Sequence, residues 1–216
     1  MTREILVAAR RQLAEVGAAS LSVRAITRDL EMSSSAIYRY FPSREALITA
    51  LIIDAYNALG AAAEKAEAEV ARDDFGLRFK TIGHAVRNWA LANPHEYALI
   101  YGTPVPGYKA PEDTIVPATR VTRRLLAILQ SAKSSEPEAG VNQPDLGESL
   151  EIDFTKLARE YAATVPPSLF TLGLAAWIQI LGTISFEIFG HFNNVIADNE
   201  AYFDQMLTLA SKTLDL

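Results

Sequence analysis

The sequence predicts an all-α protein, with an N-terminal three-helix domain built round a helix-turn-helix and a larger helical C-terminal domain. Three observations predict it. Residues 22–41, SVRAITRDLEMSSSAIYRYF, divide into two short helices around a tight turn. Elsewhere apolar residues recur three and four positions apart, the spacing of one helix face. Breakers such as Gly17, Pro42, Asn93-Pro94 and Pro166-Pro167 punctuate these segments. The chain of 216 residues is long enough to bury a real core, and half of it is hydrophobic. The domain cut is placed at 1–46 and 47–216.

The first helix is expected over 2–16, with Ile5, Leu6, Ala9, Leu13 and Val16 inward and Gly17 as a left-handed stop. Its charges interrupt the apolar run, so it lacks the core of a signal peptide, and a cytoplasmic location is expected. Arg3, Arg10 and Arg11 read as solvated, with Arg3 able to reach a phosphate. Ser22 and Ser33 each precede a helical run, where a hydroxyl can accept from free backbone amides. The helices so opened run over 22–30 and 34–40, joined through 31–33. Val23, Ile26 and Leu30 share a face of the first, and Ile37 and Phe41 a face of the second. Ser34, Ser35, Tyr38 and Arg39 are left outside, and short hydroxyls and a guanidinium suit base edges and phosphates.

Pro42 ends that helix and Ser43 caps a long one, expected from 44 to about 72. Its alanine-rich end, AAAEKAEAEVAR, favours helix strongly but buries little, and reads as a solvated lever. Over 74–92, Phe75, Phe79, Ile82, Val86 and Trp89 form an aromatic stripe that reads first as ordinary core. A short helix at 95–101 follows, then an irregular stretch over 102–113 that covers something or acts as a lid. A helix from Pro117 to Ala132 follows, with Val121, Leu125, Ile128 and Leu129 inward and Arg120, Arg123 and Arg124 facing water or acidic neighbours. Residues 134–149 read as a polar surface loop and 152–163 as a helix.

Residues 161–186 carry no formal charge. That length could span a bilayer. The Pro166-Pro167 restart, which leaves about 168–186, the polar Thr171, Gln179, Thr183 and Ser185, and the lack of Lys or Arg close to either end of that remaining segment favour a soluble helix buried between its own core and a partner subunit. Asp198 caps the last helix, whose inner face is Phe203, Met206, Leu207 and Ala210. The helices from Ser168 to Gly190 and from Asn199 to Lys212 can form half of a four-helix bundle with a second chain, giving a homodimer.

The string Ala25-Ile26, then Met32 to Phe41, then Arg44 and Leu47, with the helices on either side, resembles the TetR-like transcriptional repressors. The resemblance implies that the second helix enters the major groove of double-stranded DNA, that Tyr38 and Tyr40 reach phosphates, and that Arg44 adds another. The DNA-facing set is then Ser22, Arg24, Ser33, Ser34, Ser35, Tyr38, Arg39, Tyr40 and Arg44. One departure is Glu31, at a turn position usually held by Gly. A Glu at positive φ costs roughly 1 kcal/mol, and its carboxylate would sit near DNA. More weakly, residues 89–108 and 177–192 resemble the C-terminal domain of a subfamily named for a Trp-His-Gly pattern. Trp177 and Gly182 match it, and Leu181 stands where the His is expected. The resemblance implies a dimer with a small-molecule pocket.

Charge and chemistry agree with this. The formal charge is −6 with a pI near 5.2, yet residues 1–50 hold seven Arg against five acidic residues, and the remainder 13 basic against 21 acidic. An acidic remainder favours DNA binding by one end. Cysteine is absent, and no disulfide, metal site or cofactor is expected. His84, His95 and His191 sit in no nucleophile or metal motif, so no enzyme is expected. Trp89, Tyr97, Tyr101, Phe170, Trp177, Phe186 and Phe189 are each core residues by themselves. Together they suggest a pocket for a small, largely apolar effector, with Gln179 and His84 as polar contacts. The expected protein is a ligand-responsive, DNA-binding repressor. The alternative is an all-α small-molecule binding protein with a vestigial helix-turn-helix.

Overall fold

The computed structural model describes residues 1–135, 145–161 and 165–216, and only the backbone of Ser34. Its helices are α1 Thr2–Val16, α2 Val23–Asp29, α3 Ser34–Ile37, α4 Arg44–Ala68, α5 Phe75–Ala92, α6 Pro94–Tyr101, α7 Ile115–Ala118, α8 Arg120–Ser135, α9 Gly147–Glu160, α10 Pro167–Ile188 and α11 Asn199–Leu214. The described residues contain no strand.

The chain packs as two compact units, residues 1–59 with 90–118 and residues 60–89 with 119–216. The division falls within α4 and α5, and it gives α6 and the irregular stretch after it to the N-terminal unit. Packing explains why: Leu99 and Val105 belong to the same core as Ile5, Ile26, Ile37 and Leu47. The Tyr108 hydroxyl bonds Thr49 Oγ1 at 2.9 Å, so residues 102–113 cover the core of their own unit. Arg10 adds charge to this packing, donating to Asp54 Oδ2 at 2.8 Å and Glu96 Oε1 at 2.9 Å. It is therefore no free surface cation.

In α1 the buried face is Ile5, Ala8, Ala9, Gln12 and Leu13, and Val16, expected inside, is exposed. Val16 belongs to the last turn, which Gly17 closes with φ 74° and its N–H donated to Leu13 O. Buried Gln12 accepts the Ser22 amide on Oε1 at 2.7 Å, which fixes the entry to α2.

In the second unit the stripe of α5 is core: Phe79, Ile82, Val86 and Trp89 are buried. The lever expectation is overturned. α4 ends at Ala68, and Ala63 and Glu67 on its last turns are fully buried. Arg78 donates to Glu67 Oε1 from Nε and Nη2, at 3.0 and 2.6 Å, and Arg124 bonds Oε2. Arg120 pairs with Glu64 at 2.7 Å. Pro117 also departs from expectation. It lies in the separate turn α7, and Thr119 O accepts the Arg123 amide at 2.9 Å to begin α8. α9 starts earlier than expected, at Gly147. Much of the expected 134–149 loop, residues 136–144, lies outside the described residues, as does Ala163.

α10 packs against α8, α9 and α11 through Leu169, Phe170, Ala176, Ile180, Thr183 and Ile184. Its other side is open in the single chain: Leu174 is 37%, Ile178 60% and Phe186 52% exposed. By length and composition alone, α4 and α10 would also suit a bilayer. Asp198 caps α11, accepting the Ala201 amide at 2.9 Å, and Phe203, Leu207 and Ala210 are buried.

Candidate nucleic-acid interface

The helix-turn-helix is built from its core outward. Ile26 and Ile37 are fully buried and Phe41 nearly so, with Val23, Leu30 and Met32 packed against them. Ser22 caps α2 by a long bond, 3.4 Å from Ala25 N. The turn closes when Met32 N bonds Thr27 O at 2.9 Å and Glu31 N bonds Arg28 O at 3.2 Å. This is a Schellman closure with Glu31 at the left-handed position, and its φ is 52°. Met32, one residue beyond, supplies the apolar contact that accompanies such a stop.

α3 is a single turn, Ser34–Ile37, shorter than the expected 34–40. Tyr38 keeps a helical backbone, φ −65° and ψ −14°, and the amides of Tyr40 and Phe41 both bond Ile37 O. Ser33 does not cap it with its side chain. Its hydroxyl instead pairs with the Ser35 hydroxyl at 3.1 Å. Ser33, Ser35, Tyr38, Arg39 and Tyr40 are exposed, as is Arg24 on α2, while the Ser34 side chain lies outside the described residues. The result is a short helix with an apolar back and a hydrogen-bonding front.

Arg44 has another use in the fold. Its Nε donates to Leu21 O at 2.9 Å, and Nη2 donates to Ala18 O at 2.8 Å and Ala19 O at 2.9 Å. The guanidinium thus ties the first turn of α4 to the segment between α1 and α2. The other arginines also divide. Arg11 pairs with Asp29 at 2.9 Å and Arg10 with two carboxylates. Among the described residues no carboxylate pairs with Arg3, Arg24, Arg28 or Arg39. Arg28 was not in the sequence-derived set. Its signal was a cationic position at the end of α2 beside the turn.

The second unit holds an apolar cavity of about 100 Å³ among α5, α8, α9, α10 and α11, lined by residues that include Phe79, Leu125, Leu129, Phe170, Leu174 and Trp177. Of the aromatics expected to form a pocket, Phe170 and Trp177 line it. Trp89 is buried elsewhere in the unit. Tyr97 and Tyr101 belong to the N-terminal unit, where their rings lie 5.3 Å apart and Tyr101 meets Tyr56 edge-on at 5.8 Å. Burial raises the Tyr101 hydroxyl pKa, with Tyr56 and Tyr97 adding to the shift. Phe186 is exposed and meets His191 and Phe192 at tilted ring angles, and Phe189 is also exposed. His84 bonds Asp204 at 3.2 Å, and Gln179 bonds Met206 O at 3.5 Å. Neither lines the cavity.

The sequence and the fold have counterparts in known proteins. Residues 5–51 match the model of bacterial regulatory proteins of the tetR family, and residues 79–210 match the tetracyclin repressor-like C-terminal domain. The chain belongs to the TetR family. Among its relatives is the HTH-type transcriptional regulator Rv1816 of Mycobacterium tuberculosis, 36% identical over 208 residues, 95% of this chain and 88% of that protein. The crystal structure of a candidate regulatory protein, SCO4313, is 31% identical with a TM-score of 0.79, covering 97% of this chain and 94% of that one. The TetR family regulator PfmR from Thermus thermophilus shares the fold at 22% identity, with a TM-score of 0.60 over 94% of this chain and 97% of its own. This TetR-family member is thus a transcriptional regulator with a DNA-binding helix-turn-helix, in a class that is not enzymatic.

Proposed function

We propose that this regulator is a ligand-responsive repressor that works in the cytoplasm as a homodimer on a palindromic operator. The observation that carries the reading is the front of α3: Ser35, Tyr38, Arg39 and Tyr40 are exposed, and the buried Ile37 and Phe41 fix the backbone that bears them. In this reading Arg39 and Ser35 meet base edges, while the two tyrosines and the cations Arg24 and Arg28 meet phosphates. Arg44 acts through the carbonyls that it holds, with any phosphate contact secondary.

Two further features support the parts that act together. On α10 Leu174, Ile178, Gly182 and Phe186 stand four residues apart and exposed, and Leu209 on α11 is exposed as well. A stripe of this kind suits an isologous helix bundle. The cavity would hold the effector. A TetR variant from Acinetobacter baumannii, of similar fold, has been solved with minocycline. In the dimer the two recognition helices would sit about 34 Å apart, one DNA turn. An effector releases DNA only if it binds more tightly to dimers with another spacing.

Selection from random duplexes at moderate salt tests the reading, and one enriched palindrome is expected. A protein that selects none, yet melts higher with a bound small molecule, is a binding protein with a vestigial helix-turn-helix.

A further inference from the structure

α10 carries two glycines that its own subunit uses differently. A Cβ at Gly173 would meet Leu129 Cδ1 at 2.9 Å, so the packing of α8 against α10 needs that glycine. A Cβ at Gly182 would meet nothing within 4 Å. Glycine weakens a helix interior, and nothing within the subunit gains from this one. It leaves a notch on the outer face of α10, in an exposed row with Leu174, Ile178 and Phe186. Residues 161–186 carry no formal charge to keep that row in water.

The row is complementary to a second copy of itself. A twofold axis level with residue 180 pairs positions equally spaced on either side of it, 178 with 182 and 174 with 186. Ile178 then faces the notch at Gly182 of the partner subunit, and the same contact occurs twice. Large against small at facing positions lets two helices interlock without voids. An axis level with residue 182 sets the two notches together instead, leaving a void between bulky Ile178–Phe186 pairs that hold the helices apart. The first register also reaches the cavity. Leu174 lines it and is exposed on the outer face, and Phe186 of the partner subunit falls on Leu174. Within its own chain the Phe186 ring is held by His191 and Phe192, with ring centres 5.0 and 5.6 Å away.

We propose that two copies of the chain pair their α10 helices antiparallel about an axis level with residue 180, that Ile178 of each seats at Gly182 of the partner subunit, and that the partner's Phe186 backs the cavity wall at Leu174. The proposal rests on the homodimer reading and gives that dimer a register. Each cavity is then complete only in the dimer, because Leu174 belongs both to its lining and to the subunit contact.

The test is sedimentation of full-length variants that exchange knob and notch. Gly182→Ile fills the notch and Ile178→Gly removes the knob; each acts twice in a symmetric dimer and should raise the dimer Kd at least about tenfold. Both positions are exposed in the subunit, so helical circular dichroism should be kept. The combined variant restores a knob facing a notch and should dimerise more tightly than either single variant, a coupling that the double-mutant cycle reads. The chain has no cysteine, so introduced thiols report the second contact. Leu174→Cys with Phe186→Cys should form a disulfide between chains under mild oxidation. Neither single variant should, because each position stands about 18 Å along the helix from its own copy in this register. A combined variant no tighter than the better single one, or a missing 174–186 disulfide, overturns the proposal and leaves the homodimer reading standing. A wild type that sediments as a monomer ends the homodimer reading and the proposal with it.

Discussion

Glu67 and Arg78 form a closed ion pair: both side chains are almost wholly shielded from solvent, and two guanidinium nitrogens share one carboxylate oxygen at 2.6 and 3.0 Å. Arg124 holds the other oxygen. Burial by itself would raise the Glu67 pKa, but the hydrogen bonds and charges of the two arginines outweigh it and hold the carboxyl below its ordinary value near 4.5. Its stabilising contribution is therefore complete above pH 4.5 and is lost as the pH falls through the lower folded value. Glu67→Gln leaves Arg78 buried without an anion and should cost about 3 kcal/mol or more. Urea unfolding at pH 7 measures that loss. Repeated towards pH 3, the variant should lose less further stability than the wild type.

This pair also shows where the sequence stops being legible. Helix periodicity places Glu67 on a polar, alanine-rich tail, and nothing local to the tail says that it is buried. Its partners stand 11 and 57 residues away, so only the packed fold brings them together. By contrast α1 matches its expected span, because both ends carry local signals, a charged first turn and Gly17. The aromatic pocket was legible only in small part for the same reason, since Phe170 and Trp177 alone of the expected aromatics line the cavity. Aromatic content marks Phe170 and Tyr97 alike, but α6 packs with the N-terminal core, and that choice depends on long-range contacts.

Arg44 gives a second prediction. Its carbonyl contacts join α4 to residues 18–21, so Arg44→Ala should lower stability by about 1–3 kcal/mol, the scale of lost charged hydrogen bonds. A lysine cannot present the same fork, and Arg44→Lys should recover less than half of the loss. Both variants should shift thermal melting before they change the slope of DNA affinity against salt. A variant with native stability and a salt slope reduced by about 1 would instead make Arg44 chiefly a phosphate contact.

The open stripe of α10 gives a third. Ile178 is 60% exposed in the single chain, so a charge there has little to disturb within the subunit. Ile178→Glu should leave the helical circular dichroism unchanged and convert the protein to a monomer by sedimentation. With one recognition helix per particle, operator affinity should fall by at least about 100-fold through lost avidity. A dimer that survives Ile178→Glu would move the subunit contact off this face.

Glu31 sits at the left-handed position that closes α2, with φ 52°, where a side chain costs roughly 1 kcal/mol. The Schellman bonds around it are nevertheless made, Met32 N to Thr27 O at 2.9 Å among them, so the turn accepts Glu without changing its hydrogen-bond pattern. This bears on whether the helix-turn-helix still works. A degenerate turn would show lost closure bonds, and here the backbone pattern is intact while only the residue type is costly. Glu31→Gly removes the strain and adds unfolded-chain entropy, so a net gain of about 0.5–1 kcal/mol is expected in urea unfolding. The substitution also removes an exposed carboxylate beside the DNA-facing helix, so non-specific duplex binding at low salt should tighten by about two- to fivefold, an effect that salt erases within a Debye length. If stability rises but duplex affinity is unchanged, the carboxylate lies out of reach of phosphate. If stability falls, Glu31 makes a contribution beyond its backbone angle.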